Sequence, residues 1–198
     1  DMLSQNIDHL KPFQIEDNEL GNIDVKIARS GYTGELGYEI YCRPQDGVII
    51  ENALEKYGAK YGIGKITTDV IVTSLPREKG FVLMSDLAGT NPLEVGFDWS
   101  IDWDKEFIGK EALLEVVKKG AERRLVGFMV DDERTNIAPG DIVKLFGYPV
   151  GKVTMYTYGF SVGKYIGYAL VDAGKAALDS IVEINGVETV LCDRVFYR

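Results

Sequence analysis

Apolar and polar positions change rhythm several times along the chain. Over residues 23–29 the order Ile-Asp-Val-Lys-Ile-Ala-Arg alternates with a period of two, the pattern of a strand with one buried face. Residues 38–42 read the same way, so the two segments predict a hairpin. Its connection, residues 30–37, holds three glycines in eight positions. The period then lengthens. Ile50, Leu54, Tyr57 and Tyr61 recur at spacings of four, three and four, with Ala53 on the same face, which predicts an amphipathic helix of about three turns. Asp46 stands where a helix cap belongs, and Gly58 and Gly62 stand near the end. Residues 65–75 are rich in Thr, Val and Ile and lean to strand, with Pro76 as a breaker. Residues 1–20 are mixed and polar, with Pro12 and Phe13 marking a turn into something packed.

Residues 85–92 read as a polar loop and residues 93–103 as an apolar, aromatic stretch. After a turn at residues 104–106, residues 108–119 predict a second helix, with Ile108, Leu113 or Leu114, and Val117 inward and Gly120 ending it. From Arg124 onward the rhythm becomes that of short strands: residues 125–130, 141–146, 150–156, 165–171, 180–184 and 187–195. Asn185-Gly186 is a strong two-residue hairpin signal. Six strands at this density predict a small antiparallel barrel. The fold class is therefore α+β, a sheet-and-helix domain followed by a C-terminal β-barrel, with the boundary near residue 105.

Composition narrows the function. Hydrophobic residues at 45% and charged residues at 27% are ordinary for a globular chain. No run approaches the roughly 20 apolar residues a membrane helix needs, and no basic leader precedes an apolar core. The net charge of −9 supplies no basic stripe for phosphates, which excludes nucleic acid and disfavours anionic membrane. A single histidine, His9, rules out a multi-histidine metal site and makes a Ser/His/Asp triad unpromising. Cys42 and Cys192 fall in strand-like runs and fit small buried hydrophobes in a reducing cytoplasm. Asp98, Asp102 and Asp104 lack the glycine and terminal glutamate of a calcium loop and read as solvated strand-end charges. No metal is expected.

The unusual chemistry lies in Arg29-Ser-Gly-Tyr-Thr-Gly-Glu-Leu-Gly-Tyr-Glu39. Clustered glycines imply turns with positive φ or the close approach of a ligand. Glu35 sits between Tyr32 and Tyr38 at the tip or edge of the hairpin. A carboxylate there can accept two parallel N–H bonds from a planar donor pair, such as the 2-amino-pyrimidine edge of a pterin. The tyrosines can supply stacking faces or hydroxyls. The plain alternative is a tight hairpin with two core tyrosines and a solvated glutamate.

The phrase from Ala28 to Tyr41 resembles the signature of the glycine-cleavage T-protein (aminomethyltransferase) family. Glu78-Lys-Gly-Phe81, Asn91-Pro-Leu-Glu-Val-Gly96 and Phe107-Ile-Gly-Lys-Glu-Ala-Leu113 are similar to three further segments, in the family's order. Arg123-Arg-Leu-Val-Gly127 and Val150-Gly-Lys-Val-Thr154 resemble the opening of its C-terminal barrel. The resemblance covers nearly the whole chain. It implies residues 1–105 as the C-terminal part of a folate-binding domain and residues 106–198 as the barrel domain. It also implies tetrahydrofolate as cofactor, a small methyl or aminomethyl donor, and a carrier such as a lipoyl protein as partner. The implied binding residues are Glu35, which would hold the pterin, with Tyr32, Tyr38, Arg29 and Arg77. The family's catalytic carboxylate lies earlier than this chain reaches, so the N-terminal half of the protein is expected to be missing, and the catalytic residue is unknown. Two departures stand out. Val72 and Pro76 occupy places where the family carries arginines in a helical phrase, Arg77 is shifted by one residue, and the proline argues against a helix. Met155-Tyr156 replaces a small Ser-Gly, closer to folate-dependent O- or S-demethylases of the superfamily. Those enzymes, a non-catalytic folate-binding module and a C-terminal module of a flavin-linked demethylating dehydrogenase are the alternatives to an aminomethyltransferase.

Overall fold

The computed structural model describes residues 2–131 and 135–198, and the chain divides into two compact units, Asp1–Val72 and Thr73–Arg198. In the first unit, β1 (Ile15–Leu20), β2 (Ile23–Ala28) and β3 (Glu39–Tyr41) form an antiparallel sheet in the order β1-β2-β3. Helix α1 (Gly47–Gly58) packs on it, so that Val25, Ile27, Leu20, Leu10 and Ile50 make a small core. Strand β1 escapes the period-two reading because its inward position is Asn18. That amide is only 6% exposed and fully engaged: its oxygen accepts from Ser4 Oγ, Gln5 N and Glu19 N, and its nitrogen donates to the Gln5 carbonyl. A buried amide with those bonds substitutes for an apolar residue.

Several expectations are corrected here. Asp46 precedes α1 but makes no side-chain cap, because a 3-10 turn (Pro44–Asp46) leads into the helix. Tyr57 and Tyr61 lie on the face that carries Ile50, yet they are 53% and 77% exposed. Cys42 is exposed rather than buried, and Cys192 is half-buried with its thiol pushed up to about 11, first of all by burial. Residues 70–78 are helical, not strand: a π turn (Val70–Ser74) runs into α2 (Leu75–Glu78). The wide turn resolves the proline conflict, since Pro76 has no N–H to donate and its ring would meet the carbonyl of a regular helix four residues back.

In the second unit, β4 (Arg123–Val130), β5 (Ile142–Leu145), β6 (Tyr148–Gly159), β7 (Lys164–Asp172), β8 (Ile181–Ile184) and β9 (Val187–Cys192) close a barrel in the order β4-β7-β6-β5-β8-β9. All six strands were legible from sequence, and Asn185 and Gly186 take the positive φ values (51° and 81°) of the expected tight hairpin. Phe128, Val143, Val153, Ala169, Val171, Ile184 and Leu191 fill the interior. A bulge between Val153 and Met155 turns Met155 to the outer face, where it joins Leu125, Tyr168 and Val95 in a second cluster.

That outer cluster explains why β4 is apolar on both faces: residues 73–97 pack against it. The compact unit therefore begins well before residue 105. A short helix α3 (Met84–Leu87) replaces part of the expected polar loop. The second long helix, α4 (Lys110–Lys119), forms between two positive-φ glycines, Gly109 and Gly120, but buries no residue fully. Ile108 is fully exposed and Val117 is 56% exposed, while Phe107, Lys110, Leu113 and Val116 are half-buried at intervals of three. The inward stripe is thus rotated from the one expected.

Candidate functional site

The chain between β2 and β3 builds a cleft. Gly34 (φ +78°) turns the backbone, and Glu35 N donates to Thr33 Oγ1 at 3.4 Å, which tightens the tip. Gly31 and Gly37 bring the two legs of the loop together; a Cβ on Gly37 would stand 3.5 Å from the Ser30 carbonyl. Opposite lies the turn at residues 11–14. Gln14 N donates to the Lys11 carbonyl at 3.0 Å, with Pro12 and Phe13 at the corners and Phe13 at φ +66°. Proline followed by a positive φ is the geometry of a type II turn, whose third position is ordinarily glycine or asparagine. Phe13 N donates to the Arg29 carbonyl and Arg29 N to the Gln14 carbonyl, both at 2.9 Å, so the turn is fastened to the end of β2.

Pro12, Phe13, Arg29, Ser30, Gly31, Glu35, Leu36 and Gly37 line the space between, a volume of about 290 Å³. The Arg29 guanidinium is anchored by donating to the Leu10 carbonyl at 2.6 Å and retains further N–H groups. Phe13 is 89% exposed. The cleft therefore offers a carboxylate acceptor, a fixed guanidinium and an aromatic ring, a set suited to a flat heterocycle with donors on one edge.

The expected residues do not all converge. Glu35 and Arg29 line the cleft together. Tyr38 instead lines an apolar groove against α1, of about 410 Å³, and Tyr32, 38% exposed, lines neither. Arg77 belongs to the second unit and is 2% exposed. It pairs with Asp86, donates to the Phe81 carbonyl at 3.1 Å and lies over the Tyr168 ring. Phe13 was missed as a site residue. A proline-aromatic turn was visible in the sequence, but its return to Arg29 was not.

Around Arg77 the other recurrent phrases find their use. Glu78, 1% exposed, accepts from Ser161 N at 2.6 Å and Val162 N at 3.4 Å, while its backbone carbonyl accepts from Phe196 N and Tyr197 N. Tyr168 Oη donates to the Arg77 carbonyl at 2.6 Å, and burial raises its pKa. Arg123 grips Glu94 bidentately at 2.7 and 2.9 Å. Burial works against the charged Glu94, but Arg123 and the Asn91 backbone N–H together outweigh it and hold this carboxyl below its usual range. Arg194 donates to the Gly80 and Val95 carbonyls. These phrases tie residues 73–97 and the C-terminal tail to the barrel. Among the described residues, no group of three or more His, Cys, Asp or Glu side chains is arranged to hold a metal, and no helix is long and apolar enough to cross a membrane.

A sheet-and-helix unit with a cleft lined by Glu35 and Arg29, and a unit with a closed six-stranded barrel braced by the buried Arg77–Asp86 pair and the half-exposed Arg123–Glu94 pair, define a two-unit α+β protein. Comparison with known proteins makes the class specific. A model of the GCVT N-terminal domain matches residues 2–105, and one of the glycine cleavage T-protein C-terminal barrel domain matches residues 123–198. The chain belongs to the glycine cleavage T-protein family. It is 36% identical to an aminomethyltransferase of Bacillus pumilus over 194 residues, covering 93% of this chain and 52% of that protein. It is 32% identical to the mitochondrial dimethylglycine dehydrogenase of Homo sapiens over 182 residues, covering 90% of this chain and 21% of that protein. The crystal structure of the glycine cleavage system aminomethyltransferase T from Bartonella henselae superposes with a TM-score of 0.69 at 26% identity, covering 87% of this chain and 50% of that one. The chain thus spans about half the length of the aminomethyltransferases it matches.

Proposed function

We propose that this chain is the folate-binding C-terminal half of a tetrahydrofolate-dependent aminomethyltransferase. The supporting observation is the cleft shared by Glu35 and Arg29. Tetrahydrofolate would present the 2-amino-pyrimidine edge of its pterin to the Glu35 carboxylate, with Arg29 beside it and the Phe13 ring as a stacking face. Folate supplies the acceptor nitrogen for a one-carbon unit; this chain's residues grip and orient the ring. The aminomethyl donor, carried on a lipoyl-type partner protein, and the carboxylate that assists transfer belong to the rest of the protein. Residues 1–105 are read as the end of the folate domain and residues 106–198 as the barrel domain, in a cytoplasmic enzyme. Tyr32 and Tyr38 remain expected contacts in the complete protein, while Arg77, occupied by Asp86, is assigned to bracing the fold. The match to dimethylglycine dehydrogenase favours a second reading, in which the same half ends a larger demethylating enzyme.

Tetrahydrofolate titration of the full-length protein tests the first reading. Glu35→Ala is expected to weaken binding by about 2 kcal/mol, roughly 30-fold, the scale for losing a charged hydrogen-bond partner. Unchanged affinity removes Glu35 from the site. The isolated 198 residues are expected to bind weakly or not at all, since half of the enclosure is absent.

A further inference from the structure

We propose that the open seam of the barrel is a second binding site, one that takes a small aliphatic α-amino acid as its zwitterion. Strands β4 and β9 pair only at Gly127–Cys192 and Phe128–Leu191. Beyond those pairs the tail leaves the sheet and crosses over Gly127, where a Cβ would stand 2.6 Å from the Asp193 carbonyl. Residues 93–96 run beside the start of β4, with Leu125 N donating to the Glu94 carbonyl at 2.8 Å. The space between them is a pocket of about 360 Å³, and it shares no lining residue with the cleft of Glu35 and Arg29.

Two guanidiniums line the pocket. Arg194 is pinned: Nε donates to the Gly80 carbonyl at 3.1 Å, Nη1 donates to the Val95 carbonyl, and the group lies 5.6 Å from the Phe97 ring centroid. Gly96, at φ +68°, admits it, since a Cβ there would come within 3.3 Å of Arg194 Nη1. Those two bonds leave further N–H groups of the guanidinium for a ligand. Arg124 is exposed and, among the described residues, its side chain has no hydrogen-bond or ion-pair partner. Asp193 lines the same pocket, its Oδ1 fixed by accepting from Val195 N at 2.9 Å. Leu93, Leu178 and Val195 supply apolar wall, and burial keeps the Cys192 thiol protonated beside them. A solitary surface arginine is ordinary. One that shares a concave pocket with a pinned arginine, a fixed carboxylate and apolar walls has the make-up of a ligand site. A guanidinium grips a carboxylate through two parallel N–H bonds, and Asp193 would accept from an ammonium. A simple anion would face Asp193 and a simple cation would face the arginines, so the zwitterion is the ligand that satisfies both.

Calorimetric titration of the full-length protein with L-leucine, in the absence of folate, tests the proposal. Saturable binding is expected. Isocaproate, which lacks the ammonium, and isoamylamine, which lacks the carboxylate, should each bind at least tenfold more weakly. Arg124→Gln should weaken L-leucine binding at least tenfold while the melting temperature stays unchanged, because that side chain is exposed and unbonded. Leu178→Asp, which places a second carboxylate on the apolar wall, should weaken it as well. Glu35→Ala should leave the L-leucine affinity as it is, so the result stands independently of the folate reading. Absence of binding up to the solubility limit, isocaproate binding as tightly as L-leucine, or affinity indifferent to Arg124→Gln overturns the proposal. So does loss of L-leucine binding in Glu35→Ala, which would put the amino acid in the other cleft.

Discussion

Phe13 shows what one residue gives up for a position. A large side chain at φ +66° is held in a conformation that L-residues avoid at roughly 1–2 kcal/mol, and at 89% exposure the ring gains little packing in return. Phe13→Gly should therefore leave the melting temperature unchanged or raise it, because relief of strain offsets the entropy that glycine adds to the unfolded chain. In the full-length protein the same change should weaken tetrahydrofolate binding, which calorimetry reads directly. A clear fall in melting temperature would mean that the ring supports the fold instead. Glu35 and Arg29 stood out as candidates because a glycine-rich connection advertises itself locally. Phe13 did not, because its place depends on two backbone bonds to a strand distant in sequence. Tyr38 was grouped with Glu35 by its nearness along the chain, and in this chain it lines the apolar groove against α1.

Among the elements, the barrel strands were readable because turn signals and alternation agree there. Two misread elements contain a polar or breaking residue that its surroundings make acceptable: Asn18 inside β1 through side-chain hydrogen bonds, and Pro76 through the π turn before it. The Glu94–Arg123 brace has a pH signature. With its folded pKa below the usual value of about 4.3, ionised Glu94 adds stability that is fully present above that value and is lost as pH falls through the lower folded pKa. Glu94→Gln should cost about 1.5 kcal/mol at neutral pH, toward the low end for bonds to charged groups because Arg123 is 42% exposed. The gap in melting temperature between wild type and variant should narrow as pH is lowered toward 3. A gap constant with pH would show that the charge is not the source. In the barrel wall, a Cβ on Gly167 would stand 2.1 Å from Phe128 Cζ, directly across β4 and β7. Gly167→Ala is expected to destabilise by about 1–3 kcal/mol in urea unfolding, and a neutral result would mean that the Phe128 ring has room to move.

For the molecule as a whole, the sequence conveyed the α+β class, the closed barrel and the family, because the ordered set of phrases spans nearly the entire chain. It placed the domain boundary near residue 105, and by compactness residues 73–105 group with the barrel. That grouping was not legible because Arg77, Glu78 and Glu94 are charged residues with partners in or beside barrel strands far along the chain. Charged residues in a polar-looking segment do not announce burial. The cleft lined by Glu35 and Arg29 belongs to the first unit, and the proposed function rests on it. A crystal structure of the full-length protein with tetrahydrofolate tests that most directly. The account predicts the pterin in the cleft beside Arg29, with the Glu35 carboxylate about 3 Å from the 2-amino group and the adjacent ring nitrogen. A pterin bound elsewhere, with Glu35 facing only water, would contradict it.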